Sequence, residues 1–315
     1  MPAFNVAPYI GEAIDSVLGQ TYADLELLVV DDGSTDGSDV IADGYSARDS
    51  RVRVIRQMNG GISTARNHAL RIATSPVIAI LDSDDAWDPA YLHEQVSILD
   101  ARANVDVVTG NAWFLGSSQN GHPARPWPDL RPAPTLADML ADETAVFIMS
   151  IFRRRVYETI GPFDESLRTN EDYDFWLRAA CADFVFHRND QPLGYYRRRD
   201  NSLSADELRM LPGILQVFRK LRPHLHNRPA ELAILDAQIV RFETEHVAAE
   251  ARGAIESGDF AAASQHLTAL HHIKGGALLR LARFMALWTP SLLSTAYTIR
   301  RARLALSRAA RQRTA

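Results

Sequence analysis

Val77-Ile78-Ala79-Ile80-Leu81-Asp82-Ser83-Asp84-Asp85 decides how this 315-residue chain is read. The apolar run reads as a buried strand, and it ends abruptly in three carboxylates. Like charges crowded so closely oppose one another's ionisation unless a cation or a hydrogen-bonding ligand neutralises them. Oxygen-only ligands suit a hard divalent ion, Mg²⁺ or Mn²⁺, that also holds phosphate oxygens. In an open α/β sheet, ligands bind outside the carboxyl ends of the strands, where these acids fall. Taken alone, Asp-Ser-Asp-Asp reads better as a solvated turn of helix-capping acids. The rest of the chain shifts that balance.

Outward from this stretch, Leu25–Val30, Val52–Arg56 and Val105–Thr109 read with Val77–Leu81 as buried strands, rich in β-branched residues and bounded by turn signals. Between them, Pro8–Gln20, Ser38–Arg48, Ile62–Ala73 and Pro89–Arg102 carry helical patterns, with Pro8 and Pro89 where a first turn tolerates proline. The alternation predicts βαβ units and a parallel sheet. Gly116–Pro134, rich in Gly, Pro and Ser, reads as a long surface loop of the kind that serves function or is disordered.

A second acidic cluster, Val29-Val30-Asp31-Asp32-Gly33-Ser34-Thr35-Asp36-Gly37, ends a strand and opens a helix, with Ser34, Thr35 or Asp36 available as cap. Asp32, Ser34, Asp36, Gly37 and Asp43 match the spacing of a calcium-binding EF-hand loop. That reading is rejected: a strand precedes the loop, Asp43 replaces the bidentate Glu, and Asp39 takes the apolar position. The strand end is better suited to accept a hydrogen bond from the N–H of a nucleotide base.

Pro2-Ala3-Phe4-Asn5, Asp31-Asp32-Gly33-Ser34-Thr35-Asp36, Asn59-Gly60-Gly61, Ala65-Arg66-Asn67 and Asp82-Ser83-Asp84-Asp85 follow one another in this order. With them the chain resembles a family 2 glycosyltransferase over about residues 2–204. The resemblance implies the GT-A fold of nucleotide-diphospho-sugar transferases, a mostly parallel sheet flanked by helices, and inverting transfer from a nucleotide-diphosphate sugar. It implies a donor site that includes Pro2, Phe4, Asn5 and Arg66, with Asp31 or Asp32 on the base, most often uracil. It also implies Asp82 near ribose and metal, and Asp84 as the principal ligand of Mn²⁺ or Mg²⁺. Asp85 is a supporting acceptor or a cap for the helix after Pro89.

Asn170-Glu171-Asp172-Tyr173-Asp174-Phe175-Trp176 reads by composition as the acidic start of a helix. In the family this Glu-Asp pair sits here and its Asp is the general base. An acceptor hydroxyl must lose its proton as it attacks, on the face opposite the leaving diphosphate. Asp172 is therefore the expected base, with Glu171 positioning it or the acceptor. Tyr195-Tyr196-Arg197-Arg198-Arg199 resembles a segment that in relatives carries a His where Arg199 stands, a cation able to neutralise the leaving diphosphate. Arg197 or Arg198 reads as simply solvated. Trp87, Trp113 and Trp176 are candidate platforms for a carbohydrate acceptor, though each also fits a core position.

Beyond about residue 205 the strand signals stop, which predicts a glycosyltransferase domain over 1–204 and an all-helical region over 205–315. Glu207–Leu221, Ala230–Ser257 and Phe260–His271 carry helical periodicity, and Ala254–Ala263 resembles one tetratricopeptide-type joint, read as a helical hairpin packed on the main domain. From Lys274 to Ala315 there are nine Lys or Arg and no Asp or Glu; since the whole chain carries -5, residues 1–273 carry -14. Within that tail Phe284–Ile299 is uncharged, interrupted by Pro290 and too short to span a bilayer. It fits either a helix lying in an anionic membrane interface or an ordinary buried helix pair with a solvated basic end. Nucleic acid is not expected, because the apolar segment would then serve nothing.

The single Cys181 excludes an intramolecular disulfide framework, and the N-terminus lacks the basic and apolar regions of a signal peptide. Both fit a cytoplasmic enzyme, with the tail offering attachment to the inner membrane face. A full strand normally precedes Pro-Ala-Phe-Asn in the family, and here only Met1 does, so an upstream start is expected. The expected partners are a nucleotide-sugar donor and a glycan or lipid-linked acceptor of surface polysaccharide or glycolipid synthesis. The alternative is a catalytically inactive nucleotide-sugar-binding or scaffold relative, disfavoured by retention of both acidic motifs. No Gly-rich phosphate loop supports a nucleotidyltransferase or a dinucleotide-binding enzyme.

Overall fold

A computed structural model describes residues 1–116, 119–128, 131, 133–146, 149–198 and 207–299. It divides the chain into two compact units, one of residues 1–205 with 216–236, the other of 206–215 with 237–315.

In the first unit, β1 (Pro2–Ala3), β2 (Leu27–Asp31) and β3 (Val52–Arg56) form a parallel sheet in that order. Every residue of β2 is buried, as expected of the middle strand of a sheet covered by helices. Its cover comes from α2 (Ser38–Ser46) and α3 (Ile62–Ile72), while α1 (Ile10–Leu18) packs on α2. In α1 the buried residues Ile10, Ala13, Ile14 and Val17 recur at helical spacing.

A second sheet is mixed, in the order β4 (Val77–Ala79), β7 (Ser150–Arg153), β6 (Val107–Leu115), β8 (Phe186–Arg197), β5 (Ala86–Trp87). Its longest pairing, β6 with β8, is parallel; β4, β5 and β7 join antiparallel. The strand predicted at 105–109 thus starts later and runs on to Leu115, and the one predicted at 77–81 stops at Ala79, leaving Ile80–Asp85 to turn. Between Thr109 and Ala112 the register shifts, and Asn111 takes up the irregularity. Its Oδ1 accepts from the amides of Ala112 and Arg125, which keeps those buried donors satisfied. The bulge divides the sheet: β7, with β4 on its outer side, attaches to the first part of β6, while β5 attaches to the last part of β8. The acidic turn carries the chain from one part to the other.

Helix α4 (Tyr91–Ala101) packs on β6 and β8, and α6 (Arg154–Ile160) follows β7 directly. Between them, α5 (Leu136–Ala141) starts in a reciprocal cap between Thr135 and Asp138. Helix α7 (Glu171–Cys181) opens with Glu171, Asp172 and Asp174 in its first turn and buries Phe175, Trp176 and Leu177. The aromatic core around it includes Phe163 stacked on Phe175 at 4.4 Å and Phe152 edge-on to Trp176 at 5.7 Å. Part of the predicted surface loop folds back on β6, with Trp113 bridging to Pro123 and Ala124 N donating to Ala112 O.

The helical periodicity beyond residue 205 is realised as α8 (Glu207–Leu221), α9 (Pro229–Ser257), α10 (Phe260–Lys274) and α11 (Ala277–Trp288), with a further helical run over 290–299. At the predicted joint Gly258 adopts φ 78 and Asp259 caps α10 by accepting from Ala262 N. In the second unit, Ala251, Ile255, Ala263, Leu267, Ala286 and Leu293 form one buried cluster. Among the described residues no helix is long and apolar enough to cross a membrane.

Candidate active site

The acidic segments meet through one arginine. Arg66 lies on α3 and is almost fully buried. Its Nη1 donates to Glu171 Oε1 at 2.6 Å and its Nη2 to Asp82 Oδ1 at 2.7 Å. A buried guanidinium is tolerated only when such partners compensate its lost hydration, and here one cation fastens α3 to both acidic motifs. The ring of Phe163 lies 5.4 Å from its Cζ and adds a cation–π contact. Next to it, Asn67 holds the turn before α7: Nδ2 donates to Phe163 O and Glu165 Oε1, and Oδ1 accepts from Phe163 N. The Ala-Arg-Asn motif is thus a two-residue fastener.

Asp172 is half-buried beside this pair. Lost hydration and the neighbouring Glu171 charge raise its pKa from the ordinary carboxylate value to about 6, against the opposing pull of Arg66. Asp174 does different work, taking Arg178 at 2.8 Å and Lys220 at 2.9 Å. Lys220 also reaches Asp164 at 2.6 Å and, with Ser166, holds that carboxyl down at about 2.

In the acidic turn, Asp82 and Asp84 are half-buried and Asp85 is buried. Asp85 does not cap the helix after Pro89: Asp88 Oδ1 accepts from Ala90 N at 2.9 Å just before α4, and the first-turn amide of Leu92 donates to Gln20 Oε1 at 2.8 Å. Asp85 instead accepts from Arg197 N at 2.7 Å. Burial and the charges of Asp84 and Asp82 push its pKa well above the usual range. Its second oxygen, Oδ2, is buried without a hydrogen-bond partner.

Arg197 is therefore not a solvated cation. Besides its amide contact, its Nε donates to Asp84 O at 2.9 Å, its Nη2 pairs with Glu12, and its guanidinium lies 5.0 Å from the centre of the Tyr9 ring. It braces the acidic turn from the end of β8, because the pairing of β5 with β8 brings residues 86–87 alongside 194–195. Nothing local in the sequence announces contacts between residues 112 and 113 positions apart. Arg198 lies over Phe114 at 4.7 Å and donates to Gln119. Arg199 lies outside the described residues.

At the end of β2, Asp32 accepts from Gln57 Nε2, Gly60 N and Gly61 N, each at 2.8 Å. Its carboxylate is filled by the loop that opens α3. Asp31 accepts from Ser34 N at 3.3 Å. Asn5, at φ 51, donates its amide to Ser34 Oγ and accepts from Thr35 N, while Ala7 N donates to Asp36 Oδ2. Pro2 is buried in β1, and Phe4 is about half exposed beside this junction. The first and second strand ends are thereby zipped together.

Of the three tryptophans considered as acceptor platforms, Trp176 is in the core and Trp87 is buried, stacked on Tyr91 at 4.4 Å. Neither presents a face to a saccharide. Trp113 is half-buried, edge-on to the exposed Trp127 at 5.7 Å.

The residues fit a hard divalent cation. Three carboxylates lie on one turn, two of them half-buried, and the third has an orphaned buried oxygen beside its charged neighbours. No group of three His, Cys, Asp or Glu among the described residues closes around a metal, so such an ion would take further oxygens from a ligand such as a diphosphate.

Comparison with known proteins gives the family and the fold. A Bacillus subtilis protein named uncharacterized glycosyltransferase EpsJ is 35% identical over 214 residues, 65% of this chain and 61% of that protein, so the chain spans about three fifths of its length. Glycosyltransferase GlyG of Streptococcus pneumoniae is 31% identical over 240 residues, covering 70% of this chain and 77% of GlyG. Among solved structures, Staphylococcus aureus TarS 1-349 in complex with UDP-GlcNAc superposes with TM-score 0.63 at 21% identity, over 90% of this chain and 85% of that one. Mannosyltransferase PcManGT from Pyrobaculum calidifontis, in complex with GDP-Man and Mn²⁺, gives 0.59 at 20%, over 95% and 81%. At those identities the likeness establishes the GT-A fold. The family profile of Glycosyl transferase family 2 matches residues 1–161, about half the chain, and the chain belongs to that family of transferase enzymes.

Proposed function

We propose that this protein is an inverting, metal-dependent glycosyltransferase that moves a sugar from a nucleotide diphosphate to a hydroxyl of a glycan or lipid-linked acceptor. The observation that carries the reading is the buried Arg66, which ties Asp82 of the acidic turn to Glu171 beside Asp172. Neither a scaffold protein nor an inactive relative needs its separate acidic motifs bridged in this way.

The base of the nucleotide lies against the end of β2, where Asp31 is the better partner because Asp32 is filled by its own loop. Asn5 and Phe4 border that position. Arg66 acts by positioning, since both ends of its guanidinium are taken. Asp84, with Asp82, would hold Mn²⁺ or Mg²⁺; when bound, the ion supplies positive charge that stabilises the departing diphosphate. Asp172 accepts the proton of the acceptor hydroxyl, and Glu171 keeps the start of α7 in place. Arg199 would add positive charge at the diphosphate.

UDP is the preferred donor nucleotide, consistent with the UDP-GlcNAc bound by TarS, and GDP is the competitor, as in PcManGT. Surface polysaccharide or glycolipid fits as the pathway, since a related Bacillus subtilis protein is named for teichuronic acid biosynthesis. The enzyme would work in the cytoplasm at the inner membrane face, where a lipid-linked acceptor resides, with the region beyond residue 204 as its appendage. Proton NMR of the product formed from an α-linked UDP-sugar tests the mechanism. A β-linked product is expected, and retention of configuration would overturn inversion.

A further inference from the structure

Helix α11 has two apolar faces. One is accounted for: Ala286 is buried in the core cluster of the second unit, and Leu279, Ala282 and Met285 pack partly against it. On the other side Leu278 is 80% exposed, Leu281 53%, Phe284 55% and Trp288 72%. Spacings of three and four residues place these four side chains in one ridge along the helix. Phe284 and Trp288 lean on each other at 6.3 Å. Arg280 and Arg283 flank the ridge toward its polar edge. After the break at Thr289–Pro290, Leu292 (58%) and Ile299 (50%) continue the exposed apolar character while Leu293 is buried.

We infer that this ridge is a membrane-insertion surface that lays the second unit on an anionic lipid bilayer. The inference deepens the placement at the inner membrane face proposed above and rests on it for its biological setting. Charge selects the occupant: residues 274–315 hold nine cations and no acid, so anionic headgroups are attracted while the apolar ridge enters the acyl boundary. A second copy of the chain is the other occupant an apolar ridge could take. A two-fold contact through this ridge would bring Arg280 and Arg283 of the two copies together with no acid between them, which like-charge repulsion opposes. Tryptophan beside phenylalanine and leucine, with arginines at the flank, is the composition of an interfacial helix.

The test is co-sedimentation of the full chain with vesicles of phosphatidylcholine alone and of phosphatidylcholine mixed with phosphatidylglycerol, at low and high salt. Binding to the mixed vesicles should exceed binding to the neutral ones and fall as salt rises. The triple variant Leu281→Ser, Phe284→Ser, Trp288→Ser changes only exposed positions and should cut partitioning about tenfold or more while leaving the circular dichroism spectrum unchanged. A second variant, Arg280→Gln with Arg283→Gln, should weaken binding to mixed vesicles and spare the weaker binding to neutral ones. Equal partitioning of wild type and triple variant, or no binding of wild type to the mixed vesicles, would overturn the inference. So would a wild-type dimer in solution that the triple variant abolishes without any vesicle binding. Nucleotide binding, measured on the same samples, reports separately on the transferase reading.

Discussion

Asp172, half-buried, and Asp85, buried, both have raised pKa values, yet their surroundings give them different work. Lost hydration and the Glu171 charge push the pKa of Asp172 up to about 6 against the pull of Arg66, a value that suits a group that takes a proton and releases it again. Transfer should therefore fall as pH drops through about 6, read as kcat against pH, and Asp172→Asn should lose about 10²–10⁴-fold in rate. The stability effect has the opposite sign. Between the ordinary carboxylate range and about 6 the folded chain holds a proton at Asp172 that the unfolded chain has released, so ionising it costs stability as pH rises. Asp172→Asn removes that cost, and its melting temperature should exceed the wild type's above pH 6 and converge with it in acid. An unchanged or lower melting temperature at neutral pH would show that Asp172 is not held out of water. Asp85 is buried with one oxygen on Arg197 N, which an amide oxygen can replace, so Asp85→Asn should fold normally. The identities of these acids were legible in the sequence from their motifs. Which of Asp31 and Asp32 is filled by its own loop was not, because that depends on where the Gly60 and Gly61 amides point.

At the scale of elements, the junctions between segments carry the most specific information. Asp32 closes β2 onto the start of α3 by filling three donors, two of them backbone amides. Asp32→Ala would leave those donors unsatisfied, at a cost of roughly 1–3 kcal/mol for each that water cannot reach. Hydrogen exchange should quicken at Gly60 and Gly61 first; unchanged protection there would deny the clamp. Arg66→Met removes the cation shared by Glu171 and Asp82 and strands both acids, so it should destabilise the fold by about 3–5 kcal/mol in denaturant titrations. Helix and strand positions were largely readable: α2, α3 and α8 fall within a residue or two of the periodic segments 38–48, 62–73 and 207–221. The long β6 and β8 were not, because their pairing joins residues about 80 apart and is broken by a bulge that no local pattern marks. The bracing role of Arg197 was hidden for the same reason.

By charge the whole molecule is an acidic body, at -14 over residues 1–273, followed by a cationic apolar end. The order of five short motifs was enough to place the chain in its family, since the spacing of several chemically necessary residues is far more restrictive than any one of them. The exposed ridge on α11 was only half legible: composition announced an apolar segment among arginines, but which face packs inward is decided by α10 and the buried cluster around Ala263 and Leu267. A truncation near His271 would cut through α10 and open that cluster, so surface substitutions are the sounder probe. In the proposed mechanism the acidic turn binds a metal that holds the donor nucleotide, while Asp172 serves the acceptor. Isothermal titration of UDP and GDP into wild type, Asp84→Asn and Asp172→Asn, with and without Mn²⁺, tests it most directly. Wild type and Asp172→Asn should bind UDP with similar affinity only when Mn²⁺ is present, and Asp84→Asn should lose that dependence together with most of the binding. Tight binding of UDP by Asp84→Asn, or equal binding by wild type in the absence of the metal, would contradict it.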